Sequence, residues 1–236
     1  MRILALSLDL DDTLWPIAPV IARAEQRLDA WMQAHCPAAA RAFPIPAMRA
    51  LRDRVAAEHP ELAHDFSAQR RLSLARAFAA CGHDDAALVD AAYAAYFDAR
   101  NAVEPYPDAL PALARLAALL PLASVSNGNA DLERIGLAHH FRARVSAREH
   151  GVGKPAPSIF RAACAALGVP PECVLHVGDD PALDVAGARA AGLRCAWLNR
   201  DGRDWTGGGD APDMTIADLA ALADWCERHA GRTMAA

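Results

Sequence analysis

The chain has 236 residues, and 53% of them are hydrophobic, so it can bury the core of one large domain or of a domain with one insertion. The formal net charge is -5, the sequence pI is about 6.0 and no extended basic patch stands out, which argues against nucleic acid as a partner. No apolar run reaches the length of a membrane span, and the six cysteines form no Cys-x-x-Cys pair. We therefore expect a cytoplasmic protein with no membrane partner and no zinc site.

A short apolar run at Ile3–Leu8 predicts a buried parallel strand that ends on acidic residues. The chain then has a helical pattern as far as Arg100. Its amphipathic stretches are Val20–His35, Pro46–Glu58, Glu61–Ala80 and Asp84–Arg100, with Pro and Gly breakers between them. Four helices with short connections predict a four-helix bundle inserted after the first strand.

After Pro105-Tyr106-Pro107 the pattern alternates between helix and strand. Helices are predicted at Asp108–Leu119, Asp131–Ile135, Pro157–Leu167, Leu183–Ala191 and Ile216–Arg228, and strands at Pro121–Ser126, Ala143–Ser146, Cys173–Val177, Arg194–Leu198 and around Met214. This alternation predicts an α/β fold with a doubly wound parallel sheet. Residues 1–15 and 105–236 would form the α/β core, and residues 16–104 the helical domain. Gly207–Gly209 reads as a flexible loop, because no strand–turn–helix context surrounds it.

Four short segments end predicted strands or precede predicted helices, so we expect them to meet beyond the carboxyl ends of the strands. The first is Asp9-Leu10-Asp11-Asp12-Thr13. In extended geometry Asp9 and Asp11 project to the same side, and two close carboxylates have split proton affinities. One can attack phosphorus as an anion while the other gives a proton to the leaving oxygen. An acidic loop without function is the alternative.

The second segment, Ser126-Asn127-Gly128-Asn129, offers a hydroxyl and backbone N–H groups for phosphate oxygens. The third contains Lys154, a point charge for phosphate that also keeps Asp9 ionised. An ordinary turn and a surface lysine are the alternative interpretations.

The fourth segment, Gly178–Asp184, places acids after a strand, where a hard cation finds oxygen ligands. Asp179 is the natural direct ligand of Mg²⁺ together with Asp9, and Asp184 would support it. Alternatively, Asp179 or Asp180 caps the helix that follows.

With these four motifs the sequence closely resembles the haloacid dehalogenase superfamily over nearly its whole length. The resemblance implies a Rossmann-like core with the helical cap of the first subfamily. It implies Asp9 as the nucleophile and Asp11 as the general acid and base, with Ser126 and Lys154 completing the catalytic set. It further implies phosphate binding by Ser126, Asn127, Gly128 and Lys154, Mg²⁺ held by Asp9, the Asp11 carbonyl and Asp179, and support from Thr13, Asp180 and Asp184.

Dehalogenases of this superfamily lack the second acid of the first motif, so Asp11 predicts a phosphatase of small phosphorylated metabolites. A finer resemblance, at Ser126–Ala130 and Leu175–Asp180, is to bacterial phosphatases of flavin mononucleotide and of 5-amino-6-(5-phosphoribitylamino)uracil. Sugar phosphates, nucleotides, haloacids or a non-catalytic ligand-binding role are the alternatives. The helical domain offers aromatic side chains that would stack on a flat ring, namely Trp31, Phe66, Tyr93, Tyr96 and Phe97.

Overall fold

The structure is a computed structural model that describes residues 2–205, 207 and 211–229, so Gly208 and Gly209 of the predicted loop lie outside the described residues. The chain forms two compact units. The first, the α/β unit, consists of Met1–Pro16, Glu104–Gly128 and Leu132–Ala236. The second, the helical unit, consists of Ile17–Val103 and Asn129–Asp131.

The α/β unit contains a parallel sheet of six strands in the order β3-β2-β1-β4-β5-β6. The strands are β1 (Ala5–Leu8), β2 (Leu122–Ser126), β3 (Ala143–Ser146), β4 (Val174–Gly178), β5 (Arg194–Leu198) and β6 (Met214–Ile216). Every residue of β1, β2 and β4 is buried, as expected for strands covered on both faces. The predicted doubly wound parallel sheet is confirmed.

The strand order reverses at β1, which has β2 on one side and β4 on the other. Leu8 pairs with Ser124 and with Val177, so Asp9 follows the last pairing of the central strand. The Asp9 N–H donates to the Val177 carbonyl at 2.9 Å. Open α/β sheets bind ligands at such a reversal point, beyond the carboxyl ends of the strands.

The helical unit contains α1 (Ile17–His35), α2 (Pro37–Ala42), α3 (Ile45–Glu58), α4 (Phe66–Ala79) and α5 (Ala86–Arg100). Its core includes Leu28, Met32, Leu74, Phe78 and Tyr96. The short helix α2 was not predicted, because Cys36-Pro37 was taken only as a break. Proline is equally favourable at the first position of a new helix, which is where Pro37 lies.

The predicted helix Glu61–Ala80 is shorter in the structure. A 3₁₀ turn at Pro60–Leu62 comes first, and α4 begins after Asp65, whose side chain accepts a hydrogen bond from the Ala68 N–H at 2.9 Å. An aspartate at this position stabilises a helix start because it satisfies one of the N–H groups that have no partner within the helix.

The helices of the α/β unit are α6 (Ala109–Leu119), α7 (Leu132–Ile135), α8 (Ala147–His150), α9 (Pro157–Leu167), α10 (Gly187–Ala191) and α11 (Leu219–His229). The helix predicted at Leu183–Ala191 is divided into a π-helical turn, Pro181–Ala186, and α10. In the part of the chain that the structure describes, no helix is both long and apolar enough to cross a membrane.

Candidate active site

Asp9, Lys154 and Asp184 form a buried charged cluster at the carboxyl edge of the sheet. The Lys154 ammonium donates to Asp9 Oδ1 and, at 2.6 Å, to Asp184 Oδ1. The side chains of Lys154, Asp9 and Asp184 are 3%, 9% and 2% exposed. One cation therefore lies between two carboxylates in a region shielded from water, where charges interact strongly.

The two carboxylates of this cluster differ in proton affinity. Burial raises the pKa of Asp9 well above its ordinary value; the Lys154 ammonium opposes this rise and Asp184 adds to it. Burial also acts on Asp184, but Lys154 and the hydrogen bond from His176 outweigh it and lower the pKa of Asp184. Asp184 thus carries the permanent negative charge beside Lys154. Asp184 affects the Asp9 pKa more than Asp11 does, although the sequence suggested Asp11 as the partner.

Asp179 completes a group of three carboxylates. Oxygen atoms of Asp9, Asp179 and Asp184 all lie within 4.8 Å of one another. The Thr13 hydroxyl is 3.4 Å from Asp9 Oδ2 and 3.3 Å from Asp179 Oδ1, and its single proton can serve only one of them at a time. Burial, followed by the charges of Asp184 and Asp12, raises the pKa of Asp179 to about 7.

The donor set of this carboxylate group fits Mg²⁺. This ion prefers oxygen ligands from one or two carboxylates, and its remaining positions are left for water and phosphate. A dication would also relieve the repulsion that raises the pKa of Asp179. The structure thus brings together Asp9 and Asp179, two of the predicted metal ligands, and adds Asp184, which the sequence placed in a supporting role.

The Asp11 side chain is held by a short loop. Its Oδ1 accepts a hydrogen bond from the Trp15 indole N–H at 2.8 Å, and the Asp12 N–H donates to the Trp15 carbonyl at 2.8 Å. Asp12 has a φ of 59°, in the left-handed region that few residues other than glycine adopt. Trp15 was not predicted as a partner of Asp11, although a spacing of four residues is compatible with such a turn.

The Ser126–Gly128 turn differs in detail from the prediction. The Gly128 N–H donates to Ser126 Oγ at 3.0 Å, so this N–H is already engaged. The Asn127 side chain contacts the backbone of Lys154 twice: Nδ2 donates to the Lys154 carbonyl at 2.9 Å, and Oδ1 accepts from the Lys154 N–H at 2.6 Å. Asn127 therefore ties the end of β2 to the loop that carries Lys154.

The Gly178–Asp184 segment depends on a close backbone approach. A Cβ at position 178 would lie 2.7 Å from the Asp184 Cβ and still closer to its carboxylate, so only glycine fits here. Asp180 accepts hydrogen bonds from the Ala182 and Leu183 N–H groups at 2.7 and 2.8 Å. Of the two interpretations for Asp180, its side chain adopts the capping one.

A buried histidine, His176 on β4, supports Asp184. Its Nε2 lies 3.1 Å from Asp184 Oδ1, and its Nδ1 lies 2.9 Å from the Ser7 hydroxyl on β1. Burial lowers the pKa of His176, so the ring is neutral, donates from Nε2 to the carboxylate and accepts from Ser7 at Nδ1. A histidine inside an otherwise apolar strand is the signal in the sequence that indicates such a role.

A model of the haloacid dehalogenase-like hydrolase family matches residues 3–192. The chain belongs to this family. It is also 34% identical over 227 residues to 5-amino-6-(5-phospho-D-ribitylamino)uracil phosphatase YigB of Escherichia coli, and this match covers 94% of the chain and 95% of that protein. Phosphoserine phosphatase of Thermus thermophilus is 42% identical over 131 residues, but the match covers only 53% of the chain and 52% of that protein.

Solved structures show the same fold for this hydrolase. A structure titled 2-haloacid dehalogenase from Pseudomonas syringae has a TM-score of 0.90 and 36% identity, and the match covers 96% of the chain and 99% of that protein. The phosphatase of this family from Thermococcus onnurineus has a TM-score of 0.67 at 23% identity, which bears on the fold alone. The prediction of a phosphoric monoester hydrolase is confirmed at the level of enzyme class.

Proposed function

We propose that this hydrolase is a Mg²⁺-dependent phosphatase that forms an aspartyl-phosphate on Asp9. The observation that carries the proposal is the cluster of Lys154 with the carboxylates of Asp9, Asp179 and Asp184 at the reversal point of the sheet. Phosphoryl transfer depends mainly on positioning and on charge compensation, and a lysine with hard-cation ligands around a carboxylate nucleophile supplies both.

In the proposed reaction, Asp9 Oδ attacks phosphorus and the bond from phosphorus to the leaving oxygen breaks. Asp11 gives its proton to that oxygen, then takes a proton from the water that hydrolyses the acyl-phosphate. Lys154 and the Ser126 hydroxyl bind the phosphate oxygens. When bound by Asp9, Asp179 and the Asp11 carbonyl, Mg²⁺ supplies positive charge that offsets the charge of the phosphate.

Haloacid dehalogenation is the second candidate, because the 2-haloacid dehalogenase from Pseudomonas syringae matches over nearly the whole chain. Displacement of a halide needs no general acid, whereas an alkoxide leaving from phosphorus does. Asp11, with its carboxylate oriented by the Trp15 indole, therefore favours the phosphatase.

For the substrate, we propose 5-amino-6-(5-phosphoribitylamino)uracil, with flavin mononucleotide as the related alternative. The match to YigB covers 94% of this chain, so it must include most of the helical unit. The family resemblance assigns substrate choice largely to that part of the chain. The match to phosphoserine phosphatase covers only 53% of the whole chain.

The test is a comparison of kcat/KM across a substrate panel, with Mg²⁺ and with excess EDTA. The panel contains the ribitylaminouracil phosphate, flavin mononucleotide, phosphoserine, pyrimidine 5′-monophosphates, sugar phosphates and 2-chloropropionate. We expect the ribitylaminouracil phosphate and flavin mononucleotide to have the highest kcat/KM. Activity should be lost in EDTA and restored by Mg²⁺.

The possible failures of this experiment are separable. Full activity in EDTA contradicts the metal requirement. Halide release from 2-chloropropionate with no phosphate release from any ester contradicts the phosphatase. If phosphoserine or a sugar phosphate leads while the ribityl and flavin compounds are the poorest, only the substrate is wrong.

A further inference from the structure

Arg200 lies two residues after β5, at the same edge of the sheet as Asp9. Asn199 shapes its loop: the Asn199 Nδ2 donates to the Arg203 carbonyl at 2.7 Å, and its Oδ1 accepts from the Arg203 N–H at 2.9 Å. The Asn199 N–H also donates to the Ile216 carbonyl of β6 at 2.8 Å. Arg200 therefore projects from a loop that is tied to the sheet.

The Arg200 guanidinium bridges two separate segments of the chain. Nη1 and Nη2 donate to the two carboxylate oxygens of Asp108 at 2.9 and 3.1 Å, and Nη2 also donates to the Thr13 carbonyl at 2.9 Å. Its Cζ lies 3.9 Å from the centroid of the Tyr106 ring. The side chains of Arg200 and Asp108 are only 16% and 18% exposed, so this forked contact is shielded from water.

Asp108 is itself fixed at its other side. Its Oδ2 accepts a hydrogen bond from the Leu219 N–H at the start of α11, at 2.8 Å. The Tyr106 N–H donates to the Leu14 carbonyl at 2.9 Å, one residue along from the Thr13 carbonyl that Arg200 binds. Arg200 therefore connects the loop between Leu10 and Trp15 to Asp108, and Asp108 is itself hydrogen-bonded to the start of α11.

That loop carries groups that belong to the reaction. The Thr13 hydroxyl lies beside Asp9 and Asp179, and the Trp15 indole orients Asp11. Its left-handed residue, Asp12, is in a conformation that costs free energy and persists only where surrounding contacts determine it. The hydrogen bond from Arg200 to the Thr13 carbonyl is one of these surrounding contacts, and its donor lies outside the loop.

We propose that Arg200 is a positioning residue that holds the Leu10–Trp15 loop in the geometry in which Asp11 can protonate the leaving group. This inference rests on the proposed phosphatase reaction. Arg200 acts through Thr13 and Trp15 and does not itself bind phosphate. A single arginine after a strand gives no such signal in the sequence, because its partners, Thr13 and Asp108, are distant along the chain.

The test compares Arg200→Met, which keeps the side-chain volume, with Arg200→Lys and with a matched control, Arg115→Met. Arg115 likewise makes a forked contact with carboxylates, in this case Asp224 and Glu227 of α11 at 2.5 to 2.8 Å, but its side chain is partly in solvent and these contacts do not involve the loop. For each variant, kcat and KM are measured on an alkyl phosphate and on 4-nitrophenyl phosphate.

We expect Arg200→Met to lower kcat/KM for the alkyl ester at least ten-fold more than for the aryl ester, which needs little protonation. Arg200→Lys should restore only part of the loss, because an ammonium lacks the planar fork with which the guanidinium contacts the Asp108 carboxylate and the Thr13 carbonyl together. Arg115→Met should leave kcat/KM unchanged for both esters. Equal losses on the two esters would overturn the proposal, since they indicate general damage to the fold.

Hydrogen exchange gives a second readout that does not depend on activity. The Asp12, Thr13 and Leu14 amides are hydrogen-bonded within the loop, so their exchange should accelerate in Arg200→Met and not in Arg115→Met. Unchanged exchange would also overturn the proposal. If the wild type hydrolyses neither ester, the proposed function fails, and exchange still decides whether Arg200 holds the loop. If Arg200→Met does not fold, Asp108→Asn provides the same comparison.

Discussion

At the residue scale, the Asp11 carboxylate lies 2.8 Å from the Trp15 indole nitrogen, and Asp9 lies against the Lys154 ammonium. These two acids, two positions apart in the chain, have different surroundings. Asp9 is buried beside the Lys154 ammonium, which favours the ionised, nucleophilic carboxylate, and beside two further carboxylates, which oppose it. The Trp15 indole N–H orients the Asp11 carboxylate, which suits the proposed role of delivering a proton to a defined leaving oxygen.

Replacing Asp9 by asparagine should lower kcat by about 10³-fold or more, because the amide has a similar shape but is not a nucleophile. The fold should persist, since Lys154 keeps its contact with Asp184. Steady-state kinetics and circular dichroism check both statements, with the exposed Asp201→Asn as the control. Retained activity in the Asp9 variant would remove the proposed intermediate.

Replacing Asp11 by asparagine should slow hydrolysis of alkyl phosphates by about 10² to 10⁴-fold, the usual contribution of general acid catalysis. Hydrolysis of 4-nitrophenyl phosphate should fall much less, because that leaving group departs without much protonation. The measurement is kcat/KM on both esters. A uniform loss would mean that Asp11 has some role other than proton transfer to the leaving oxygen.

At the element scale, the junction between β4 and the π-helical turn Pro181–Ala186 brings Asp179 and Asp184 to the same place. An ordinary helix starting at Leu183, as the sequence pattern suggests, would not include this wider turn. The Asp184 carboxylate folds back over Gly178 and accepts from the Asp180 N–H at 3.1 Å. The backbone at Gly178 therefore decides where the acids of the fourth motif lie.

Gly178→Ala should displace Asp184, lower kcat/KM strongly and destabilise the protein by about 1–3 kcal/mol, the usual cost of overpacking. The matched control is Gly136→Ala. Gly136 has a φ of 84° with no atom within 4 Å of the added Cβ, so strain alone should cost about 1 kcal/mol. Denaturant unfolding and kinetics distinguish the two, and normal activity in Gly178→Ala would contradict the crowding at this junction.

At the scale of the whole molecule, the carboxylate group should link stability to pH and, under the proposed function, to Mg²⁺. Asp179 has a pKa of about 7 in the folded state against an ordinary 3.8, so the folded state binds more protons between these values. The stabilisation that comes from protonation of Asp179 is fully present below about pH 4 and is lost as the pH rises through 7. Without metal, Asp179 thus destabilises the protein at pH 8.

Asp179→Asn should therefore be more stable than the wild type at pH 8 in EDTA. After allowance for partial exposure, we expect roughly 2 kcal/mol, or ~4–8 °C in Tm. The difference should vanish near pH 4, where the wild-type carboxyl is protonated. With saturating Mg²⁺ at pH 8 the order should reverse, because binding stabilises only the wild type.

Thermal unfolding in these conditions, with Asp201→Asn as the control, tests this linkage. Asp201 is exposed, so its substitution should not respond to Mg²⁺. Identical melting of the wild type and Asp179→Asn at pH 8 in EDTA would contradict the raised pKa. Equal stabilisation of both by Mg²⁺ would place the ion elsewhere.

The class of fold and the edge of the sheet that carries the candidate site both follow from patterns within the sequence. Short continuous apolar runs predict buried strands and period-3.6 patterns predict helices with one buried face, and both are local properties of the chain. It follows that these patterns assign Asp9, Lys154 and the Gly178–Asp184 segment to one edge of a parallel sheet. The resemblance of the first motif to the family supplies the roles proposed for Asp9 and Asp11.

The pairing of these groups, in contrast, becomes visible only in the folded protein. Asp184 shares Lys154 with Asp9, His176 reaches across from β4, Asn127 ties down the backbone of Lys154, and Arg200 holds Thr13 from the end of β5. These contacts join segments up to 187 residues apart. The strength of a hydrogen bond or an ion pair changes when the distance between its atoms changes by a few tenths of an ångström, and it also depends on burial. Both are set by the packing of strands and loops, which local sequence patterns do not encode.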